Sequence, residues 1–377
     1  DEFTGEPFDI EAYTKFTFPG RKGHYSSFIW DHNCFSGVDH AKNSGEKGVF
    51  KILNEQGDSW EPMLSNEKGN FDYLLGADIE FRNPHVREEF RRWGEWYWNL
   101  VKFDGIRLDA TKHISPDFIN FWLDAMNKVS GRGLFAVGEF WTPGDLGIMK
   151  KFIEVTNGKI SLFDATLQNN LHKASRAGKD YDMRKIFENT LVEAVPDKAV
   201  TLVSNHDTQP LQALEAPVDP WFKPLAYALL LLREKGYPSV FYPDMFGAHY
   251  KDTGSDGEKY EIWMEAVGGL DKLITCRKQF AYGVQRDYFD HPNCIGWTRE
   301  GAEEQGFLGC AVLLSNGDAG IKKMEIGKRH AGRQLIDFLG KTREEITVNQ
   351  EGWAEFFCQP GSVSVWTPKN KPSNSNS

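Results

Sequence analysis

Two spacings of apolar residues alternate through the middle of the chain. Val86, Phe90, Trp93, Tyr97 and Leu100 recur at helical intervals with Arg and Glu between them. Asn83 is placed to cap this helix, and Pro84 suits its first position. The apolar run 103–110 reads as a buried strand, and Ser115-Pro116 opens a second helix with Phe118, Trp122 and Ala125 on one face. The pattern continues with a strand over 135–141, a helix over 144–155 and a strand over 160–165. A helix opening at 182–187, a strand over 199–205, a helix over 223–234 and a last strand over 239–242 complete it. Such alternation predicts parallel strands wrapped by helices.

The flanks have a different texture. Residues 1–82 are rich in Gly, Asp, Asn and aromatics, with short strands and turns expected at 16–20 and 25–30. From about residue 282, alternating or apolar stretches at 294–299, 309–314 and 362–366 are separated by Gly and Asn turns. They predict a small antiparallel β domain over 282–368. The Ser/Asn/Lys/Pro tail, 369–377, reads as disordered. The α/β series then occupies 83–281.

With 377 residues, 40% hydrophobic and 14% aromatic, the chain can bury a large core in two or three domains. Most of the 12 Trp and 27 Phe are expected in that core, and some are available to stack on sugar rings. A formal net charge of -10 argues against nucleic-acid and anionic-membrane partners and leaves spare carboxylates for a hard cation such as calcium. Five cysteines with no C-x-x-C pair suggest neither a disulfide framework nor a zinc site. With no N-x-[ST] sequon, they lean toward a reducing, cytoplasmic setting, although a leader could have preceded Asp1. Gly340-Lys341-Thr342 lacks the earlier glycine of a phosphate-binding loop, and there is no H-E-x-x-H.

Three segments carry chemistry. Gly105-Ile106-Arg107-Leu108-Asp109-Ala110, Val137-Gly138-Glu139-Phe140-Trp141 and Ser204-Asn205-His206-Asp207 are apolar stretches ending in an acid. Acids at the carboxyl ends of buried strands are where barrel enzymes keep catalytic groups, and their presence favours a closed barrel over an open sheet. One such acid is more often a structural ion-pair partner. Three together can supply the nucleophile, proton donor and third carboxylate that cleave a glycosidic bond. Arg107, two residues before Asp109 on the same strand face, is expected to keep Asp109 ionised. Glu139, flanked by Phe140 and Trp141, is expected to have a raised pKa.

These three segments, extended to Lys112-His113 and Thr208-Gln209, resemble signatures of the α-amylase family (glycoside hydrolase family thirteen) in order and spacing. Segments 17–21, 69–74, 221–228 and 287–291 also resemble the bacterial liquefying α-amylases and their fungal relatives, so the likeness covers nearly the whole chain. It implies a (β/α)8 TIM-type barrel with a β-rich domain B inserted after the third strand and an antiparallel domain C. Residues 1–82 would be part of domain B, and 83–281 would bring strands four to eight. The first three strands and their signature Asn and His are absent from the chain. Five strands cannot close such a barrel, so the chain is expected to be a piece whose partner is the missing N-terminal barrel segment of the same protein.

The resemblance further implies that Asp109 is the nucleophile and Glu139 the general acid and base of a retaining mechanism. Asp207 would bind and distort the sugar, with His206, Arg107, Lys112, His113 and Trp141 as substrate-binding residues. Asp72, Asp78 and the His113 backbone carbonyl would hold calcium. Where relatives bind a second metal, Ser36, Glu80 and Arg82 replace Asp, and Asn293 and Asn316 replace Asp at a third position. No metal is expected at either. The expected activity is α-1,4-glucan endohydrolysis of starch, glycogen or maltodextrin. The alternatives are a related α-glucan transglycosylase and an inactive glucan-binding fragment.

Overall fold

The computed structural model describes residues 6–57, 59–65 and 76–369. The chain divides into two compact units, 1–142 with 147–163, and 143–146 with 164–377. The division runs through the parallel strands. The tail beyond 369 lies outside the described residues.

In the first unit, β1 (Phe35–Ala41) pairs antiparallel with β2 (Glu46–Lys51) and β3 (Ala77–Ile79). The short strands expected at 16–20 and 25–30 reduce to one bridge between Phe16 and Trp30, because Pro19–Arg21 winds into a 3₁₀ turn. Next come α1 (Pro84–Val101), β4 (Gly105–Leu108), α2 (Pro116–Ser130), β5 (Phe135–Gly138), α3 (Leu146–Val155) and β6 (Ser161–Phe163). Asn83 caps α1 by accepting from the His85 N–H. Gly94 lets α1 approach α2, since a Cβ there would meet the Met126 sulfur at 2.7 Å. Strands β4, β5 and β6 pair in parallel. The apolar stripe of α1 is only half covered: Val86 is buried, while Trp93, Tyr97 and Leu100 are exposed. Among the described residues β4 is hydrogen-bonded along one edge only, so both the strand edge and the C-terminal half of the helix lack a covering layer.

The second unit continues with α4 (Ala165–Ala177), α5 (Leu191–Ala194), β7 (Ala199–Thr201), α6 (Lys223–Leu231), β8 (Tyr237–Pro238) and α7 (Tyr242–Phe246). Two expectations change. The helix opening at 182–187 is a 3₁₀ turn, Met183–Lys185, because Asp182 binds both the backbone N–H and the guanidinium of Arg184, and Asn189 then adopts a left-handed conformation. The last strand lies at 237–238 rather than 239–242, where Pro243 starts α7. The register pairs Val200 with Tyr237 and Thr201 with Pro238. Helix α6 is buried all round, which explains why its Leu225–Leu231 run carries no charged residue.

An antiparallel hairpin follows, β9 (Ala248–Thr253) with β10 (Lys259–Met264), and then α8 (Leu270–Gln279). The remainder is a β sandwich: β11 (Gln285–Tyr288), β12 (Cys294–Arg299), β13 (Cys310–Ser315), β14 (Gly320–Glu325), β15 (Gln334–Asp337), β16 (Glu345–Thr347), β17 (Trp353–Cys358) and β18 (Ser362–Pro368). One sheet runs β11-β12-β13-β18-β15-β16 and the other pairs β14 with β17, all antiparallel. Leu313, Met324, Leu335, Phe356 and Trp366 fill its core. Arg233, nearly buried, forks onto both oxygens of Asp287 and ties the segment after α6 to β11.

Candidate active site

Parallel register builds the centre of the site. Arg107 pairs with Val137 and Leu108 with Gly138, so Asp109 and Glu139 are the next residues beyond two adjacent strands. The ladder extends past the strands: Glu139 N–H donates to the Leu108 carbonyl and Thr111 N–H to the Glu139 carbonyl, both at 2.9 Å. The Thr111 hydroxyl adds a bond of 2.8 Å to the same carbonyl. Between them Ala110 sits at φ 46°, an uncommon conformation for a residue with a Cβ, and turns the chain at Asp109.

Arg107 bridges the two acids. Its guanidinium donates to Asp109 Oδ1 at 2.6 Å and to Glu139 Oε2 at 2.9 Å. The Asp109 side chain is 71% exposed, whereas that of Glu139 is 11% exposed. Burial raises the Glu139 pKa. The Ala110 N–H and the Arg107 charge oppose the rise, and the neighbouring Asp109 charge and a hydrogen bond with Asp109 add to it. Two carboxyls side by side thus sit in different surroundings, one buried and one exposed. Lys112 and His113 lie in the 3₁₀ turn Thr111–His113, and Lys112 Nζ reaches the Trp141 carbonyl at 3.4 Å.

In the second unit the segment after β7 presents His206 and Asp207, whose side chains approach to 3.3 Å. Asn205 shapes this turn: its side-chain oxygen accepts from the N–H groups of Asp207 (3.0 Å) and Thr208 (2.8 Å). The buried Thr208 hydroxyl in turn accepts from the Asn205 N–H. Asn205, Thr208, Ala110 and Thr111 are positioning residues the sequence reading left out. The Asn-His-Asp-Thr run carries an Asx-turn signal that could have identified the first two.

Of the residues expected to hold calcium, Asp72 lies outside the described residues. Asp78 is on β3 and accepts from the buried Ser36 hydroxyl. Among the described residues no three His, Cys, Asp or Glu side chains converge as metal ligands. Nearby, Arg82 forks onto the buried Glu80 at 2.7 and 2.6 Å. Burial, with Glu80 and Asp78 close by, pushes the Glu61 carboxyl up to about 8. At the third position, the Asn316 and Asn293 amides donate to the carbonyls of Gly178, Lys179 and Tyr181. In both places side-chain N–H groups donate to neighbouring carboxylate or carbonyl oxygens.

The family model described as Alpha-amylase C-terminal matches residues 310–367, from β13 to β18. The chain is 52% identical over 362 residues to the cytoplasmic alpha-amylase of Escherichia coli (strain K12), covering 96% of this chain and 72% of that protein. It is 43% identical over 360 residues to an alpha-amylase of Bacillus licheniformis, covering 96% of this chain and 68% of that protein. In structure it is similar to the alpha-amylase of Geobacillus thermoleovorans complexed with acarbose, with a TM-score of 0.61 at 16% identity over 83% of this chain and 71% of that one. That likeness establishes the fold class as the TIM-type barrel with a C-terminal antiparallel domain.

Proposed function

The chain belongs to the α-amylase family of glycoside hydrolases, and from that premise we propose that it cuts internal α-1,4-glucosidic bonds of starch, glycogen or maltodextrin with retention of configuration. The observation that carries this reading is the pair of acids at adjacent strand ends, bridged by Arg107 and unequal in burial. Asp109 attacks the anomeric carbon as Glu139 protonates the leaving oxygen, and a glycosyl-enzyme forms on Asp109 Oδ. Glu139 then takes a proton from water, which hydrolyses that intermediate. A retaining pair works with its carboxyls about 5–5.5 Å apart, and the exposed Asp109 side chain faces solvent from which a sugar can approach. Arg107 stabilises the negative charge that alternates between the two acids. Asp207 and His206 bind sugar hydroxyls and favour the distorted ring. Lys112, His113 and Trp141 line subsites beyond the cut.

Calcium belongs to the same reading as a structural ion, with Asp72, Asp78 and the His113 carbonyl as its ligands. Hard oxygen donors suit it. Chelation should then lower the melting temperature, and an unchanged melting curve would remove the ion from the account. The uncovered edge of β4 and the exposed face of α1 fit further strands and helices of the same barrel. A preceding segment of the same polypeptide is the partner proposed for them. The reaction is tested on maltoheptaose by following product length and, by proton NMR, the anomer released first. Release of the α-anomer with internal cuts is expected. A β-anomer would overturn the assignment of Asp109 as nucleophile, and longer products in place of shorter ones would identify a transglycosylase.

A further inference from the structure

The hairpin of β9 and β10 has no part in the mechanism above. It belongs to the loop after β8, and in barrel enzymes such loops rise from the face that carries the active site. One face of the hairpin is anchored to the segment that follows Asp207. The Tyr250 hydroxyl donates to the Pro210 carbonyl at 2.5 Å, and the Gln212 amide donates to Asp252 at 2.7 Å. Strand alternation turns His249, Lys251, Glu261 and Trp263 to the opposite face.

On that outer face Trp263 is 70% exposed. Scattered exposed apolar residues are ordinary, but this ring is held. His249, its cross-strand partner, stacks beneath it with ring centroids 3.7 Å apart and planes 14° from parallel. His249 Nε2 is fixed in turn by Glu261 at 2.6 Å, and Lys251 approaches the same carboxylate at 3.8 Å. One face of the indole is buttressed and the other is open, with charged and hydrogen-bonding groups at its rim. A protein partner would need about 800 Å² of surface per side with an apolar centre, and a single ring with a polar rim does not supply it. A pyranose does match: its C–H face covers the ring and its hydroxyls reach the rim.

We propose that Trp263, supported by His249, is a platform that holds an α-glucan chain outside the catalytic centre. The proposal rests on the reading of the protein as an α-glucan hydrolase. It is tested in the full-length protein carrying Glu139→Gln, which removes turnover, by measuring retardation in native gels containing amylose. Trp263→Ala should weaken amylose binding about tenfold, as loss of one aromatic stacking partner does. Trp263→Phe should restore most of it, and His249→Ala should weaken it less than Trp263→Ala. Maltotriose, which can fill catalytic subsites without using the platform, should lose little affinity. Equal amylose binding by Trp263→Ala and its parent overturns the platform while leaving the hydrolase reading intact. Equal loss for maltotriose and amylose, or no recovery with Phe, makes Trp263 a structural residue and also overturns it. Failure of the hydrolase reading is seen separately, as absence of maltoheptaose cleavage by the unsubstituted protein.

Discussion

Asp109 follows β4 and Asp164 follows β6, each at the carboxyl end of a short parallel strand and each followed by alanine. Their surroundings differ. Asp109 is largely exposed and is held by Arg107. Asp164 is fully buried: one carboxylate oxygen accepts from the Leu167 N–H at 3.0 Å and caps α4, and the other accepts from the Val192 N–H at 2.8 Å. The residue after the acid decides between them. Ala165 enters a helix, so the capping bonds consume the carboxylate. Ala110 turns left-handed, which lifts Asp109 out of the backbone's reach. An acid at a strand end is thus chemically available only where the following backbone does not need it.

The contrast can be broken by paired substitutions. Asp109→Asn should lower kcat at least about 10⁴-fold with an unchanged melting temperature. Asp164→Asn should instead cost roughly 2–3 kcal/mol of stability, because a buried N–H loses its acceptor. Thermal melts beside initial rates on maltoheptaose decide it, and a comparable stability loss in Asp109→Asn would erase the distinction.

Within the site the pH profile sharpens the difference between Asp109 and Glu139. A general acid works protonated, and burial raises the Glu139 pKa. Activity should therefore persist above the usual glutamate range near about 4.3 and fall as pH rises through the raised value. An alkaline limb of kcat/KM at the ordinary carboxylate range would remove Glu139 from that role.

Smaller effects test the scaffold that sets the acids side by side. A Cβ on Gly138 would meet Ile160 at 2.6 Å and the Thr111 hydroxyl at 3.0 Å. Gly138→Ala should destabilise by about 1–3 kcal/mol and lower kcat through a displaced Glu139, read by denaturant unfolding and steady-state kinetics. Thr111→Val, which removes the bond to the Glu139 carbonyl, should cost about 1 kcal/mol in the same unfolding measurement.

Much of this was legible before folding. Asn83-Pro84 marks the start of α1, and Gly309 to Leu314 marks β13, because caps and continuous apolar runs are local signals. The three acids stood out because each ends an apolar run. The hairpin was missed although Asp256-Gly257 is a turn signal, since Asp252 interrupts the half-buried face of β9 and the exposed Trp263 interrupts the polar face of β10. The turn at Met183 was missed because the carboxylate of Asp182, a plausible helix cap, is shared with the Arg184 side chain.

By itself the sequence determined which residues can do chemistry, the alternation of strand and helix, and the family. Those depend on residue type and short spacing, which the chain carries wherever it lies. Only the tertiary structure decided that Arg107 spans both acids, that Glu139 is buried while Asp109 is not, and that Asp164 is spent on backbone N–H groups. Burial and hydrogen bonding depend on partners far along the chain, 32 residues away for Arg107 and Glu139 and 28 for Asp164 and Val192. Local pattern cannot encode that geometry.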